Sequence, residues 1–145
     1  MEEIFRKYPI GIQSFEKLRN NNYVYVDKTS LIYKLANTNS TYFLSRPRRF
    51  GKSLLVSTLE AYFLGKKELF HGLAMETLEK EWTVYPVLHL DFSVSKYMTA
   101  DMLSAAINRQ LLQWEKLYGR EEGETTFSLR FEGIIHRAYQ QTGKQ

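Results

Sequence analysis

Apolar residues recur along the chain with two spacings, one typical of helices and one of short strands. From Leu54 to Phe63 they return every three or four residues, which predicts a helix, and Gly65 is placed to end it in the left-handed conformation. Thr41 to Leu44 is short and rich in β-branched and aromatic residues, which predicts a buried strand. The buried face of the helix is expected to hold Leu54, Leu55, Thr58, Leu59, Tyr62 and Phe63.

Strands and helices continue to alternate on both sides of this pair. The alternation favours an α/β fold, and specifically a P-loop NTPase-like arrangement of three αβα layers. We expect one domain over residues 1–145, with 1–40 as an N-terminal extension and 41–145 as the P-loop strand, its helix, a second strand and further helices. The other predicted elements are a helix over Ile12–Asn20, an extended Tyr23–Val26, a helix capped by Asp27 with Leu31, Ile32 and Leu35 buried, helical turns over Lys66–Lys80, a strand over Val87–Asp91, a helix from Thr99 or Asp101 to Tyr118, and a helix over Phe127–Tyr139 with Leu129, Ile134 and Ile135 inward.

The turn between the first predicted strand and its helix carries the clearest chemical signal. It ends in Gly51-Lys52-Ser53, as phosphate-binding loops do, and free N–H groups at a helix start favour an anion. Gly51 lets the backbone approach a phosphate, Lys52 reaches the β- and γ-phosphates, and Ser53 offers a hydroxyl to Mg²⁺. ATP and Mg²⁺ are therefore the expected ligands. The expected nucleotide-binding residues are Arg46, Pro47, Arg48, Arg49, Phe50, Gly51, Lys52, Ser53 and Leu54.

Three arginines distinguish this loop from the general pattern. Arg46 stands where the G-x-x-x-x-G-K-[ST] consensus has its first glycine, so the loop is a variant Walker A motif. Guanidinium groups suit bidentate contact with phosphate, and one of them could stabilise charge on the γ-phosphate. The sequence leaves open whether Arg46, Arg48 and Arg49 do so, pair with carboxylates, or face water.

Composition narrows the class of protein. The 145 residues carry a net charge of +4, to which the loop contributes strongly, so the charge does not require nucleic acid as a partner. The chain has no cysteine, which fits a reducing compartment. No apolar run approaches the roughly 18 residues of a membrane span, and the acidic N-terminus is unlike a signal peptide. We therefore expect a cytoplasmic protein that does not associate with membranes.

Asp91 is the candidate metal ligand outside the loop. It follows a mostly apolar run, as a Walker B acid does, and could hold Mg²⁺ together with Ser53. It could equally end an ordinary strand and pair locally. The three histidines, His71, His89 and His136, lack metal-ligand spacing, and structural roles are expected for them.

Four motifs give the chain a resemblance to a known family from about Tyr8 onward. They are Tyr8-Pro-Ile-Gly-Ile-Gln-Ser-Phe, Tyr25-Val-Asp-Lys-Thr29, Phe43-Leu-Ser-Arg-Pro-Arg-Arg-Phe-Gly-Lys-Ser53 and Tyr85-Pro-Val-Leu-His-Leu-Asp91-Phe-Ser. With them the chain resembles the bacterial AAA-ATPase-like domain, which is usually fused to a C-terminal domain similar to PD-(D/E)XK nucleases. The resemblance implies that Arg46 is the family's own variant of the first glycine.

The resemblance also implies that part of the ATPase domain lies outside this chain. In such ATPases the Walker B strand follows a later helix, and the sequence stops at Thr142–Gln145, near where that strand would begin. Asp91 then belongs to a second strand, the Mg²⁺-binding acid is absent, and hydrolysis is not expected of this chain alone. The fold would be incomplete, and its open sheet edges would promote self-association. Lys28 and Thr29 either line the nucleotide site or form the first turn of a capped helix.

Three functions are consistent with these residues. The first is nucleotide binding as part of an ATPase domain. The alternative is a nucleic-acid backbone-binding module of a nuclease-associated protein, in which the three loop arginines and Lys52 contact phosphates and the missing nuclease-like domain adds further contacts. The third is a small-molecule kinase that uses Asp91 as its acid and needs the two predicted strands side by side.

Overall fold

The computed structural model describes residues 5–38, 41–92 and 99–144, and the chain divides into two compact units, Met1–Val84 and Tyr85–Gln145. Ser93, the last residue of the fourth motif, lies outside the described residues. Each unit has its own buried cluster of apolar side chains.

The first unit is built from short helices. They are α1 (Phe15–Asn20), α2 (Thr29–Ala36), α3 (Lys52–Phe63), a 3₁₀ helix (Lys67–Phe70) and α4 (Ala74–Leu78). Helix α1 packs against α3 and the 3₁₀ helix, and α2 packs against α4. Phe15 and Phe70 are fully buried at the centre, with ring centroids 4.9 Å apart. The core therefore forms between α1 and the segment that follows α3.

Asp27 joins the starts of two helices in this unit. Its Oδ1 accepts hydrogen bonds from the Thr29 N–H at 2.8 Å and the Thr29 hydroxyl at 2.7 Å, and its Oδ2 accepts one from the Ala74 N–H at 2.7 Å. The Thr29 hydroxyl in turn accepts from the Met75 N–H at 3.0 Å. Burial opposes ionisation of Asp27, but the hydrogen bonds from Thr29 and Ala74 outweigh it and lower the pKa of this carboxyl.

We expect Asp27→Ala to lower the free energy of unfolding by about 1–2 kcal/mol, because both helix starts lose their cap. The loss shows as a lower midpoint in urea unfolding. Since the pKa of Asp27 is lowered on folding, its contribution is present above the ordinary aspartate pKa and disappears as the pH falls below it. Glu68→Ala, which removes an exposed carboxylate from the same unit, is the control. Equal stability of the two variants would contradict the capping role.

The second unit is a helical hairpin. Helix α5 (Ala100–Tyr118) begins after Thr99, whose hydroxyl accepts from the Met102 N–H, and α6 (Phe127–Thr142) begins after Thr126 in the same way. The two helices pack on each other. Their shared core holds Leu111, Trp114 and Ile134, with Leu88, Ile107 and Tyr118 against it.

The described residues contain no strand and no sheet, so the expected three-layer αβα P-loop fold is wrong for this structure. The pairing they show is an isolated parallel bridge between Lys7 and Tyr23. Residues 41–44 and 87–91 lie outside helices but form no ladder. An apolar β-branched run favours an extended backbone, yet a strand exists only when a neighbour supplies hydrogen bonds, and the run itself cannot specify that neighbour. The strand adjacency that the kinase hypothesis requires is accordingly not found among these residues.

The predicted helices are confirmed, including the Asp27 and Thr99 caps and the left-handed Gly65 after α3. Their inward faces are less accurate. Leu129 and Ile135 are nearly half exposed, and Leu31 is more exposed still, whereas Ile134 is fully buried as expected. No helix in the described ranges is both long enough and apolar enough to cross a membrane.

Candidate phosphate-binding loop

The predicted nucleotide-binding residues lie together in the first unit, in a turn that leads into α3. We call residues 46–54 the phosphate loop. Within residues 46–51 the backbone dihedral φ is positive at Arg49 (68°) and Gly51 (77°), and the residues between and before them are not in this region. Such alternation turns successive N–H groups toward one concave side, which is the geometry of backbone anion sites.

The start of α3 leaves its N–H groups open. Gly51 occupies the capping position and has no side chain to accept a hydrogen bond, and the first intrahelical bond runs from the Leu55 N–H to the Gly51 carbonyl at 2.9 Å. By contrast, Ser14, Thr99 and Thr126 cap α1, α5 and α6 with their hydroxyl groups. The amide groups from Gly51 to Leu54 are therefore available to a ligand at the positive end of a twelve-residue helix.

Lys52 spans the phosphate loop. Its ammonium group donates a hydrogen bond to the carbonyl oxygen of Arg46, six residues earlier in the chain. Ser53 is exposed, while Leu54 packs against the core of the unit and anchors the first turn. The ammonium group that contacts the backbone of the loop is thus the one that the sequence assigns to phosphate.

The arginines of the loop are exposed. None of the guanidinium groups of Arg46, Arg48 and Arg49 makes an ion pair or hydrogen bond with the part of the chain that the structure describes. Of the alternatives that the sequence left open, pairing with carboxylates is therefore not observed. Arg49 has a left-handed backbone conformation that costs about 1–2 kcal/mol in a residue other than glycine. Strain of this kind is commonest at functional sites.

Helix α3 is held against the N-terminal motifs by contacts that the sequence did not reveal. The Ser57 hydroxyl accepts a hydrogen bond from the Phe15 N–H at 2.8 Å, so α3 caps α1. Burial raises the pKa of Tyr25, against the effect of a hydrogen bond with Thr58. Ser57 lies four residues after Ser53, and the sequence marks it only as a small polar residue inside a predicted helix.

The remaining candidates lie elsewhere. Thr29 is buried and hydrogen-bonded to Asp27, as expected of the first turn of a capped helix, and Lys28 is exposed beside it. Asp91 is exposed in the second unit, where it has an interaction of its own. Its role as an Mg²⁺ ligand stays a prediction. Across residues 5–38, 41–92 and 99–144, no three His, Cys, Asp or Glu side chains gather into a group that could hold a metal ion.

Comparison with known proteins finds similarity along nearly the whole chain. The profile of the AAA-ATPase-like family, described as predicted AAA-ATPase, matches residues 9–145. An uncharacterised protein in the vnfD 5′ region of Azotobacter chroococcum mcd 1 is 37% identical over 142 residues, which is 97% of this chain. The chain spans 27% of the length of that relative. No solved structure matches.

Proposed function

Because this chain belongs to the AAA-ATPase-like family, we propose that it binds ATP with Mg²⁺ through the phosphate loop, residues 46–54. The observation that carries the proposal is the alternating backbone from Arg48 to Gly51, which leads into the uncapped start of α3. A site with converging amide groups and one ammonium group suits a polyphosphate.

Each group in the proposed site has a defined part. The amide groups from Gly51 to Leu54 bind phosphate oxygens. Lys52 exchanges its bond to the Arg46 carbonyl for the β- and γ-phosphates, and the exposed Ser53 hydroxyl is available to Mg²⁺. Hydrolysis by a longer protein of this family, and a cytoplasmic location, are further parts of the proposal.

The decisive variant is Lys52→Ala. A hydrogen bond to a charged group contributes about 1.5–3 kcal/mol, so we expect the affinity for ATP–Mg²⁺ to fall by roughly 10- to 150-fold. Isothermal titration calorimetry measures the loss, and Ser53→Ala should reduce the difference between titrations with and without Mg²⁺. Lys34→Ala, which removes an exposed charge from α2, is the matched control. If Lys52→Ala and Lys34→Ala bind ATP equally well, the assignment is wrong.

The alternative is that Arg46, Arg48, Arg49 and Lys52 bind phosphates of a nucleic-acid backbone in place of a nucleotide. The guanidinium groups favour it, because they are exposed and have no ion pair among the described residues. It predicts that ATP and an oligonucleotide compete for the loop. Binding of ATP that an excess of oligonucleotide does not reduce would exclude this alternative.

Self-association also stays a proposal. Its expected basis, open sheet edges, is not present in the described residues, so exposed apolar side chains would have to supply the contact. Phe43 is the most exposed of these, at 94%.

A further inference from the structure

The first unit contains a long basic stretch without any acid. From Lys28 to Leu59 the sequence has no aspartate or glutamate. The same stretch carries six basic residues, Lys28, Lys34, Arg46, Arg48, Arg49 and Lys52. No carboxylate within this stretch of sequence offsets the charge of the phosphate loop, and a cluster of positive charge favours a polyanion.

The loop arginines differ from those that stabilise the fold. In the second unit, Arg130 and Arg137 are buried against Glu115 and Glu124. In the first unit, the guanidinium of Arg19 donates to the carbonyl of Leu69 at 2.8 Å. Arg48 and Arg49 have no such partner among the described residues. The planar guanidinium group of an arginine is suited to bind a phosphate with two hydrogen bonds.

Two exposed phenylalanines flank these arginines. Phe43 is 94% exposed and precedes the cluster, and Phe50 is 62% exposed and ends it. Exposed rings that flank basic residues in the sequence are the combination that binds single-stranded nucleic acid, in which bases stack on the rings and arginines contact the backbone. The bases of a duplex are paired and stacked on each other, so they cannot stack on these rings.

The backbone amide groups of the loop and its side chains could each bind a different ligand. The φ values alternate in sign up to Gly51, a pattern typical of backbone anion sites, and Lys52 donates a hydrogen bond to the Arg46 carbonyl. The side chains of Arg48, Arg49 and Phe50 take no part in those contacts and remain exposed. A phosphate bound to the amide groups would leave them free for a second ligand.

We infer that Phe43, Arg46, Arg48, Arg49 and Phe50 form a binding surface for single-stranded nucleic acid, distinct from the amide groups proposed for ATP. The inference does not depend on nucleotide binding, because it uses side chains and not the main chain. The proposed ligand is single-stranded nucleic acid. Preferential binding of a duplex, an anionic membrane or a second copy of the chain would count against it.

The test is fluorescence anisotropy with a labelled oligo(dT) strand and a duplex of equal length, with and without saturating ATP–Mg²⁺. The double variant R48Q/R49Q should bind the single strand at least about tenfold more weakly. Because each backbone phosphate contact contributes about −0.7 to the slope of log affinity against log salt, the slope should become shallower by about 1.4. The control K17Q/K67Q removes the same charge from exposed positions of the first unit outside the basic stretch.

Phe43→Ala tests stacking separately from charge. Loss of one stacked base should weaken single-strand binding by roughly 5- to 150-fold, with little effect on the duplex or on ATP. Lys52→Ala should lower ATP affinity more than oligonucleotide affinity, and R48Q/R49Q should do the reverse. Circular dichroism melting verifies that each variant is folded.

Several results would overturn the inference. They are equal losses in R48Q/R49Q and K17Q/K67Q, equal binding of strand and duplex, displacement of the strand by ATP, or binding of phosphatidylserine vesicles without binding of the strand. A dimer that dissociates in Phe43→Ala, with no strand binding, would assign the surface to a second copy. Failure of ATP binding would disprove the proposed function and leave the strand titration to decide this inference alone.

Discussion

Replacing Phe70 by alanine is expected to lower the free energy of unfolding of the first unit by about 3–5 kcal/mol, the usual cost of removing a buried aromatic ring. Phe70 is fully buried, and its ring contacts those of Phe15, Tyr62 and Trp82 at centroid distances of 4.9, 6.5 and 5.1 Å. Truncation removes contacts with three aromatic neighbours at once and leaves a cavity in the core.

The two tryptophans allow this loss to be assigned to one unit. Trp82 lies in the first unit and Trp114 in the second, and the sequence has no others. Urea unfolding in a Trp114→Phe background therefore reports the first unit through Trp82 alone. Phe43→Ala is the matched control, since its ring is almost fully exposed and should change stability by less than about 0.5 kcal/mol. Equal midpoints for Phe70→Ala and Phe43→Ala would show that Phe70 is not part of the core.

Removing Glu115 is expected to destabilise the second unit by about 3–5 kcal/mol, because it leaves Arg130 buried without a counter-charge. The guanidinium of Arg130 donates to both oxygens of Glu115, at 2.7 and 2.9 Å, and both side chains are about 95% buried. Asn108 accepts a further bond at 2.6 Å and cannot replace the lost charge. Urea unfolding of Glu115→Ala in a Trp82→Phe background measures the effect through Trp114.

A double replacement separates the electrostatic contribution of the ion pair from the packing of the two side chains. Exchanging a buried ion pair for apolar side chains of similar volume is often neutral, so Glu115→Leu combined with Arg130→Met should recover most of the stability. Glu121→Ala removes an exposed partner that lies 4.0 Å from Arg137 and should cost less than about 1 kcal/mol. No difference between Glu115→Ala and Glu121→Ala would refute the role of the buried pair.

The same pair makes stability depend on pH. Hydrogen bonds from Arg130, with the nearby charge of Arg120, hold the pKa of Glu115 below its ordinary value, against the effects of burial and of Glu124. A carboxyl with a lowered pKa stabilises the folded state above its unfolded pKa, and the effect is lost as the pH falls through the folded pKa. The stability difference between the native chain and Glu115→Ala should therefore shrink below about pH 4.3.

Local signals explain which parts of this fold could be predicted. Helix periods, the Asp27 and Thr99 caps and the stop at Gly65 depend on neighbours within a few residues, and each was visible in the sequence. The predicted strands Thr41–Leu44 and Val87–Asp91 depend on distant partners. No local pattern could supply those partners.

Helix α6 shows how a buried charge misleads a reading of hydrophobic pattern. Its inward face holds Arg130, Ile134 and Ala138, and not the predicted Leu129 and Ile135. Charged residues are ordinarily assigned to the exposed face of a helix. The sequence pattern therefore predicts an inward face that excludes Arg130. Only the position of Glu115 on the facing helix, which is a tertiary fact, makes the burial of Arg130 favourable.

The candidate site was predicted by its residues but not by its surroundings. The Gly51-Lys52-Ser53 signature placed the loop at the start of a helix, and α3 begins at Lys52. The anchoring of α3 through Ser57 was missed, because one hydroxyl inside a helix gives no indication of a partner 42 residues earlier.

The Asp27 carboxylate also affects how the first unit opens locally. Helices α2 and α4 are too short to persist alone, and one side chain satisfies the first amide groups of both across 47 positions of sequence. If the start of either helix unfolds and displaces Asp27, the other helix loses the carboxylate that accepts its first N–H group. The amide hydrogens of Thr29, Ala74 and Met75 should therefore exchange with solvent as one cooperative group. The Asp27 carboxylate thereby couples the local unfolding of α2 to that of α4.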